Sequence, residues 1–156
     1  SRSTLGVGAK GYSWILAAYG VGSVAGALLV AAYGNSKNKG RLAIFYLFWF
    51  SLFLFGFAFS KNLWLSLITI FFAGITLIAV VSMVMSLVQL AASESMRGRV
   101  MSIFMLAFRG GMPLGNLASG FVAEKYGVTA AISMNAICLC LFGLSLSVRN
   151  SVLHTL

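Results

Sequence analysis

Residues 63–92 read LWLSLITIFFAGITLIAVVSMVMSLVQLAA, a run of 30 residues without a charged side chain. A helix needs about 20 apolar residues to cross the hydrocarbon of a bilayer, so this run can span a membrane with a tilt or extend beyond it. Four further apolar runs accompany it, at residues 12–33, 42–59, 100–123 and 128–148. Because backbone polar groups must pair internally in lipid and no alternating strand pattern is present, we predict an all-α integral membrane bundle of about five transmembrane helices.

The composition agrees with a membrane protein and excludes a soluble domain. Hydrophobic residues make up 60% of the 156 residues and charged residues only 8%, whereas soluble domains carry roughly a quarter charged residues. The net charge of +9 comes from 11 scattered Lys and Arg residues against two acids. A nucleic-acid partner is not indicated, because that would need a clustered basic surface. We predict a multi-pass protein of the plasma (inner) membrane whose partner is the lipid bilayer.

Short basic segments separate the spans and set the topology. If the segment GNSKNKGR, residues 34–41, is cytoplasmic, then so are residues 93–99 and the C-terminal end, because successive spans alternate in direction. This side then carries the denser basic clusters, as cytoplasmic loops do. The residues taken as the cytoplasmic loop motif are Gly40, Arg41, Arg97, Gly98 and Arg99.

Two spans carry small residues at four-residue spacing. These residues are Ala18, Gly22 and Gly26 in the first span, and Ala107, Gly111, Gly115 and Ser119 in the fourth. Such helix-packing faces let another helix backbone approach closely, so they mark contact with protein. We interpret both as exposed faces for helices outside this chain, with packing inside the chain as the open alternative. The second span is instead crowded with aromatic residues and is predicted to face lipid.

One arginine interrupts the apolar stretch FMLAFRGGMPLGNLASGF, residues 104–121. Helical geometry places Arg109 on one face with Ser102 and Asn116, opposite the small-residue stripe. A guanidinium in a span needs water, a partner or a polar cavity, so this face is a candidate substrate pathway. A second polar face, on the third span, consists of Ser82, Ser86 and Gln89. These three residues are further candidates for the substrate pathway, although for the serines we favour hydrogen bonding between helices.

No residue pattern indicates catalysis, a metal or a cofactor. Cys138 and Cys140 would point about 200° apart around a helix, so they are interpreted as small apolar fillers. His154 stands without a second ligand or base, and the glycines repeat at helix-packing spacing rather than in a phosphate loop. Glu94 and Glu124 lie at span ends, so no carboxylate inside a span is available to couple proton movement.

Residues 97–127, RGRVMSIFMLAFRGGMPLGNLASGFVAEKYG, resemble the tenth-loop and eleventh-helix region of major facilitator superfamily transporters. The similarity is strongest to the drug and siderophore exporter branch, which contains the enterobactin exporter. Residues 11–34 resemble the eighth helix of the same branch. The resemblance implies that the chain corresponds to helices eight to twelve, with the seventh helix and the N-terminal half missing.

This resemblance implies a secondary-active efflux permease that moves a small-molecule substrate by alternating access. It also implies that helices eight and eleven contact the N-terminal half, that helix ten lines the cavity, and that helices nine and twelve face lipid. One departure is that the segment at 34–41 keeps basic residues but lacks the acidic residue of the family's loop signature. The rival hypothesis is a structural or regulatory membrane subunit that binds partner helices through its small-residue faces.

Overall fold

The computed structural model describes residues 9–33, 39–60 and 62–153, which form five helices. They are α1 (Ala9–Tyr33), α2 (Lys39–Phe59), α3 (Leu63–Ala91), α4 (Arg97–Tyr126) and α5 (Val128–Leu153). Each contains a segment long and apolar enough to cross a membrane. No strand occurs in the described ranges. The prediction of an all-α membrane bundle with five spans is confirmed.

Several helices extend further than the apolar runs that predicted them. α1, α2 and α4 each begin three residues earlier, and α4 continues to Tyr126. Hydropathy marks only the part of a helix that lies in hydrocarbon, whereas the helix itself continues into the polar interface. α3 ends at Ala91, one residue before the predicted end of the third span, because Ala92 has an extended backbone and caps the helix.

The turn between α4 and α5 consists of a single residue, Gly127. Its φ of 91° lies in a region that side chains disfavour, which glycine adopts without steric cost. The Gly127 N–H donates to the Ala123 carbonyl at 3.0 Å and thereby closes the last turn of α4. Such a short connection makes α4 and α5 antiparallel neighbours.

The helices pack in an order that differs from their order in sequence. α3 packs against both α1 and α2, α2 packs against α5, and α5 packs against α4, while α4 touches α3 only slightly. Among the described residues, α1 therefore packs against one helix, α3. α4 has an extensive contact with only one helix, α5. These two helices keep most of their surface free.

The closest helix contact joins α1 to α3 and is made by glycines. A Cβ at Gly26 would lie 2.6 Å from the Ile75 carbonyl oxygen, and a Cβ at Gly74 would lie 2.7 Å from the Tyr19 carbonyl oxygen. A Cβ at Gly22 would overlap the Phe71 carbonyl. The stripe that we expected to be exposed on the first span is thus used inside the chain. Gly22 and Gly26 are buried at this contact. The backbones of α1 and α3 can approach so closely because glycine has no side chain.

The buried core of the bundle consists mainly of small side chains. Its members include Ala43, Ser51, Ser66, Ala73, Thr76 and Ala79. The polar ones find hydrogen bonds nearby, as Thr76 Oγ1 donates to the Phe72 carbonyl at 2.9 Å. Since lipid tails are as apolar as the helices, close packing rather than hydrophobic exclusion holds such helices together. The large side chains are accordingly on the outside, as the aromatic outer face of α2 shows: Phe45, Phe48, Trp49, Phe55 and Phe59 are all exposed.

Candidate functional site

Arg109 lies near the middle of α4, far from both ends of the helix. It is 12 residues from Arg97 and 17 from Tyr126, or about 18 and 25 Å at 1.5 Å per residue. No other charged residue occurs in α4 between Arg99 and Glu124. The guanidinium is therefore placed within the depth that hydrocarbon occupies around a spanning helix.

Arg109 borders a shallow, open recess on the surface of α4. The residues that line this recess are Met105, Phe108, Arg109, Met112, Pro113 and Asn116. All six belong to α4, so no other helix of the described chain forms an opposing wall. Arg109 is exposed and makes no hydrogen bond or ion pair with any residue that the structure describes. The recess thus presents an unpaired cation beside one amide, Asn116, within an apolar lining.

Pro113 adds a backbone acceptor at the same level. A proline has no N–H, so the carbonyl four residues earlier, that of Arg109, loses its usual helical donor. Gly110 and Gly111 lie beside it, and a Cβ at either would meet nothing within 4 Å. The recess therefore offers the guanidinium donors of Arg109 and, about two turns further along α4, the amide donor and acceptor of Asn116.

The structure brings together only part of the predicted polar face. Arg109 and Asn116 share the recess, but Ser102 lies outside it. The Ser102 hydroxyl donates to the Gly98 carbonyl at 2.9 Å, two turns nearer the start of α4. Helical periodicity groups the residues of a face along its whole length, whereas the recess covers only part of that length. Met105 and Met112 also line the recess, which the sequence does not indicate because an apolar residue in an apolar run gives no distinct signal.

The second predicted polar face does not contribute to the recess. Ser86 accepts a hydrogen bond from Lys39 Nζ at 2.7 Å, which ties the end of α3 to the start of α2. Ser82 is half-buried and Gln89 is exposed on the same helix. None of the three lines the recess beside Arg109. For Ser86, the alternative of hydrogen bonding between helices describes what is observed.

The small-residue stripe of α4 divides into two parts. Near its end, Ser119 accepts a hydrogen bond from Asn135 Nδ2 of α5 at 2.9 Å, and Ser119 is half-buried. In the middle, Gly111 and Gly115 would carry a Cβ into open space, and Ala107 is exposed. The open part lies at the level of the recess, so the middle of α4 lacks a helix neighbour on this face.

Basic residues occupy the first turns of α2 and α4. Arg41 follows Gly40 in α2, and Arg97, Gly98 and Arg99 begin α4, with no acidic residue in either first turn. A cation at a helix N-terminus opposes the helix dipole, by about 0.3–1 kcal/mol at exposed sites. The helix dipole therefore does not explain these charges. The motif residues are all described, whereas residues 34–38 of the segment GNSKNKGR lie outside the described residues.

Comparison with known protein families identifies a match over nearly the whole chain. A family model described as "Transmembrane secretion effector" matches residues 1–154. Neither the curated proteins nor the solved structures contain a match. The family match covers all five helices, the recess on α4 included.

Proposed function

The chain belongs to the transmembrane secretion effector family of major facilitator transporters, and from this premise we propose that it forms the C-terminal helices of an efflux permease. The permease works by alternating access in the plasma (inner) membrane and exports a small molecule. This chain supplies one wall of the pathway, and an N-terminal half supplies the other. Family membership favours this function over that of a structural or regulatory membrane subunit.

The observation that carries the proposal is the unpaired guanidinium of Arg109 in a recess with a single wall. A charge at membrane depth costs several kcal/mol unless water or a partner stabilises it, so intramembrane charges face cavities or pathways. In a transporter the substrate site lies near the bilayer midplane between the two halves. A recess in the middle of α4 that no other described helix covers has the position that such a site requires.

Each lining group has a role in this mechanism. Arg109 donates hydrogen bonds to an anionic or acceptor-rich group of the substrate. Asn116 can donate and accept, and so orients that group. Met105 and Met112 provide flexible apolar surface that adapts to the rest of the substrate. As the halves rock, these contacts form in one orientation and are replaced by water in the other.

Coupling to a proton gradient needs a titratable group in the pathway, and this chain has only two acids. Glu94 lies in the turn before α4 and Glu124 lies in the last turn of α4, and both are exposed. Neither is near the recess in sequence. If the complete permease is proton coupled, its coupling residue therefore belongs to helices outside this chain.

Co-expression with the N-terminal half tests this function. Vesicles that contain both halves should accumulate substrate under an imposed ion gradient, whereas vesicles with this chain alone should match empty vesicles, because one wall cannot enclose a site. Flux through the chain alone would contradict the proposal. Equal retention of both polypeptides in the vesicles, checked by quantitative immunoblotting, is the control.

Gly115→Leu is expected to prevent assembly with the N-terminal half and leave the chain itself folded. The position has open space around it, so a leucine meets nothing inside this chain but obstructs a backbone that approaches from outside. The measurement is co-purification of the halves, with Leu114→Met on the same helix as the control. Normal co-purification of Gly115→Leu would show that this part of α4 contacts lipid.

A further inference from the structure

A crevice of about 160 Å³ separates α2 from α5, away from the recess on α4. Its lining residues are Phe48, Ser51, Leu52 and Phe55 from α2, and Ala136, Ile137 and Cys140 from α5. Ser51 and Ala136 are buried and form its floor. Phe48, Leu52 and Ile137 are exposed and form its rim, so the crevice opens onto the outer surface of the bundle.

The crevice lies near the middle of the membrane. Ser51 is eight residues from Phe59, the last residue of α2, and Ala136 is eight residues from Val128, the first residue of α5. Both distances correspond to about 12 Å along the helix axis. The end of α2 and the start of α5 are on the same side, and half of the hydrocarbon thickness is about 15 Å. The opening therefore faces acyl chains rather than headgroups.

The chemistry of the crevice admits only an apolar ligand. The one hydroxyl in the lining belongs to Ser51, which is 4% exposed and donates to the Phe48 carbonyl at 2.8 Å. A bound water needs two to four polar partners, and the lining does not supply them. No charged residue lines the crevice. A substrate with an acidic or acceptor-rich group, such as the recess on α4 favours, would find no partner here.

The side chains around the crevice favour a lipid chain over another helix as its occupant. The outer face of α2 carries large aromatic side chains, and no glycine lines the crevice or its rim. Helix contacts in membranes favour small residues, because large ones keep the backbones apart. A narrow flexible chain can enter between such side chains, whereas a helix cannot.

From the volume, depth and lining, we propose that the crevice binds the terminal part of an acyl chain from a surrounding phospholipid. The bound chain fills a gap between α2 and α5 that their own side chains leave open, and it completes the packing of these two helices. The site is separate from the transport pathway, so the proposal holds or fails independently of the proposed function.

The test uses a phosphatidylcholine that carries a photoreactive diazirine at the end of one acyl chain. The chain is reconstituted in vesicles that contain this lipid, and the labelled residues are mapped by mass spectrometry after irradiation. Labelling of residues 48–55 and 136–140 is expected to saturate as the probe lipid increases, since a site is being filled. Labelling of Leu28, which is 67% exposed on α1, is expected to rise in proportion to the probe.

A variant pair provides the second measurement. Ile137→Trp fills the mouth of the crevice and should lower its labelling at least about five-fold. Cys138→Trp adds the same side chain to an exposed position on another side of α5 and should leave labelling unchanged. Proportional rather than saturable labelling in the unmodified chain would overturn the proposal, and so would unchanged labelling in a folded Ile137→Trp variant. The dependence of labelling on the amount of probe lipid is measured on the unmodified chain, so it tests the proposal even if Ile137→Trp fails to fold.

Discussion

Arg109→Gln is expected to lower substrate binding by the complete transporter about ten-fold or more, with a normal amount of folded protein in the membrane. A hydrogen bond to a charged group is worth about 1.5–3 kcal/mol, and every 1.4 kcal/mol is a factor of ten in affinity. Glutamine keeps some of the polarity but lacks the charge and the five donors of the guanidinium. The measurements are substrate affinity and the amount of protein at the membrane surface.

Arg109→Lys distinguishes a substrate contact of Arg109 from an ion pair with a carboxylate of the N-terminal half. Lysine keeps the charge and loses the planar fork, so a site that clamps an acceptor-rich group should weaken almost as much as in Arg109→Gln. A simple ion pair with a carboxylate of the N-terminal half should tolerate lysine. Arg99→Gln removes a positive charge from the same helix at its exposed start, and it is the matched control.

The outcomes distinguish the roles clearly. Normal affinity in both Arg109 variants at normal expression would contradict a substrate contact. Loss of folded protein in Arg109→Gln, with rescue by neutralising an acid in the other half, would identify an ion pair, because an unpaired buried charge is what destabilises the variant.

Gly22→Ala is expected to destabilise the bundle by about 1–3 kcal/mol, the usual cost of overpacking. The added methyl group would overlap the Phe71 carbonyl of α3, and a Cβ has no torsion that could move it away. The measurement is unfolding of the purified chain in detergent. Gly20→Ala is the control, since Gly20 lies on the same helix and has nothing within 4 Å.

The control also shows what a glycine-to-alanine change does to a helix in the absence of a close neighbour. Alanine favours a helix over glycine by about 0.8–1.0 kcal/mol, so Gly20→Ala should be neutral or stabilising. If Gly22→Ala behaves like Gly20→Ala, α1 and α3 do not pack as closely as described.

The five spans could be predicted because the bilayer fixes the length of any helix that crosses it. The use of the small-residue stripes could not. Gly22 and Gly115 occur at the same four-residue spacing, yet Gly22 is buried against α3 and Gly115 lies open. Spacing shows that a helix can approach, whereas the identity of that helix depends on how distant segments pack.

The candidate site was partly predictable for a similar reason. A lone arginine within an apolar run is visible in any sequence, and helical periodicity joins it to Asn116. The extent of the recess is a three-dimensional property, so the sequence could not show that Ser102 lies outside it or that Met112 lines it. The crevice on α2 and α5 gave no signal, because Ser51 and Ala136 are 85 positions apart in the chain.

Cysteine accessibility in the complete transporter tests most directly whether the Arg109 face of α4 lines the substrate pathway. Asn116→Cys and Leu117→Cys place thiols on adjacent, differently facing positions, in a background where Cys138 and Cys140 are replaced by serine. A charged, membrane-impermeant thiol reagent should modify Asn116→Cys, and substrate should slow that reaction several-fold, whereas Leu117→Cys lies outside the recess and should gain no such protection. An unreactive Asn116→Cys, or equal reaction at both positions without protection by substrate, would contradict the account.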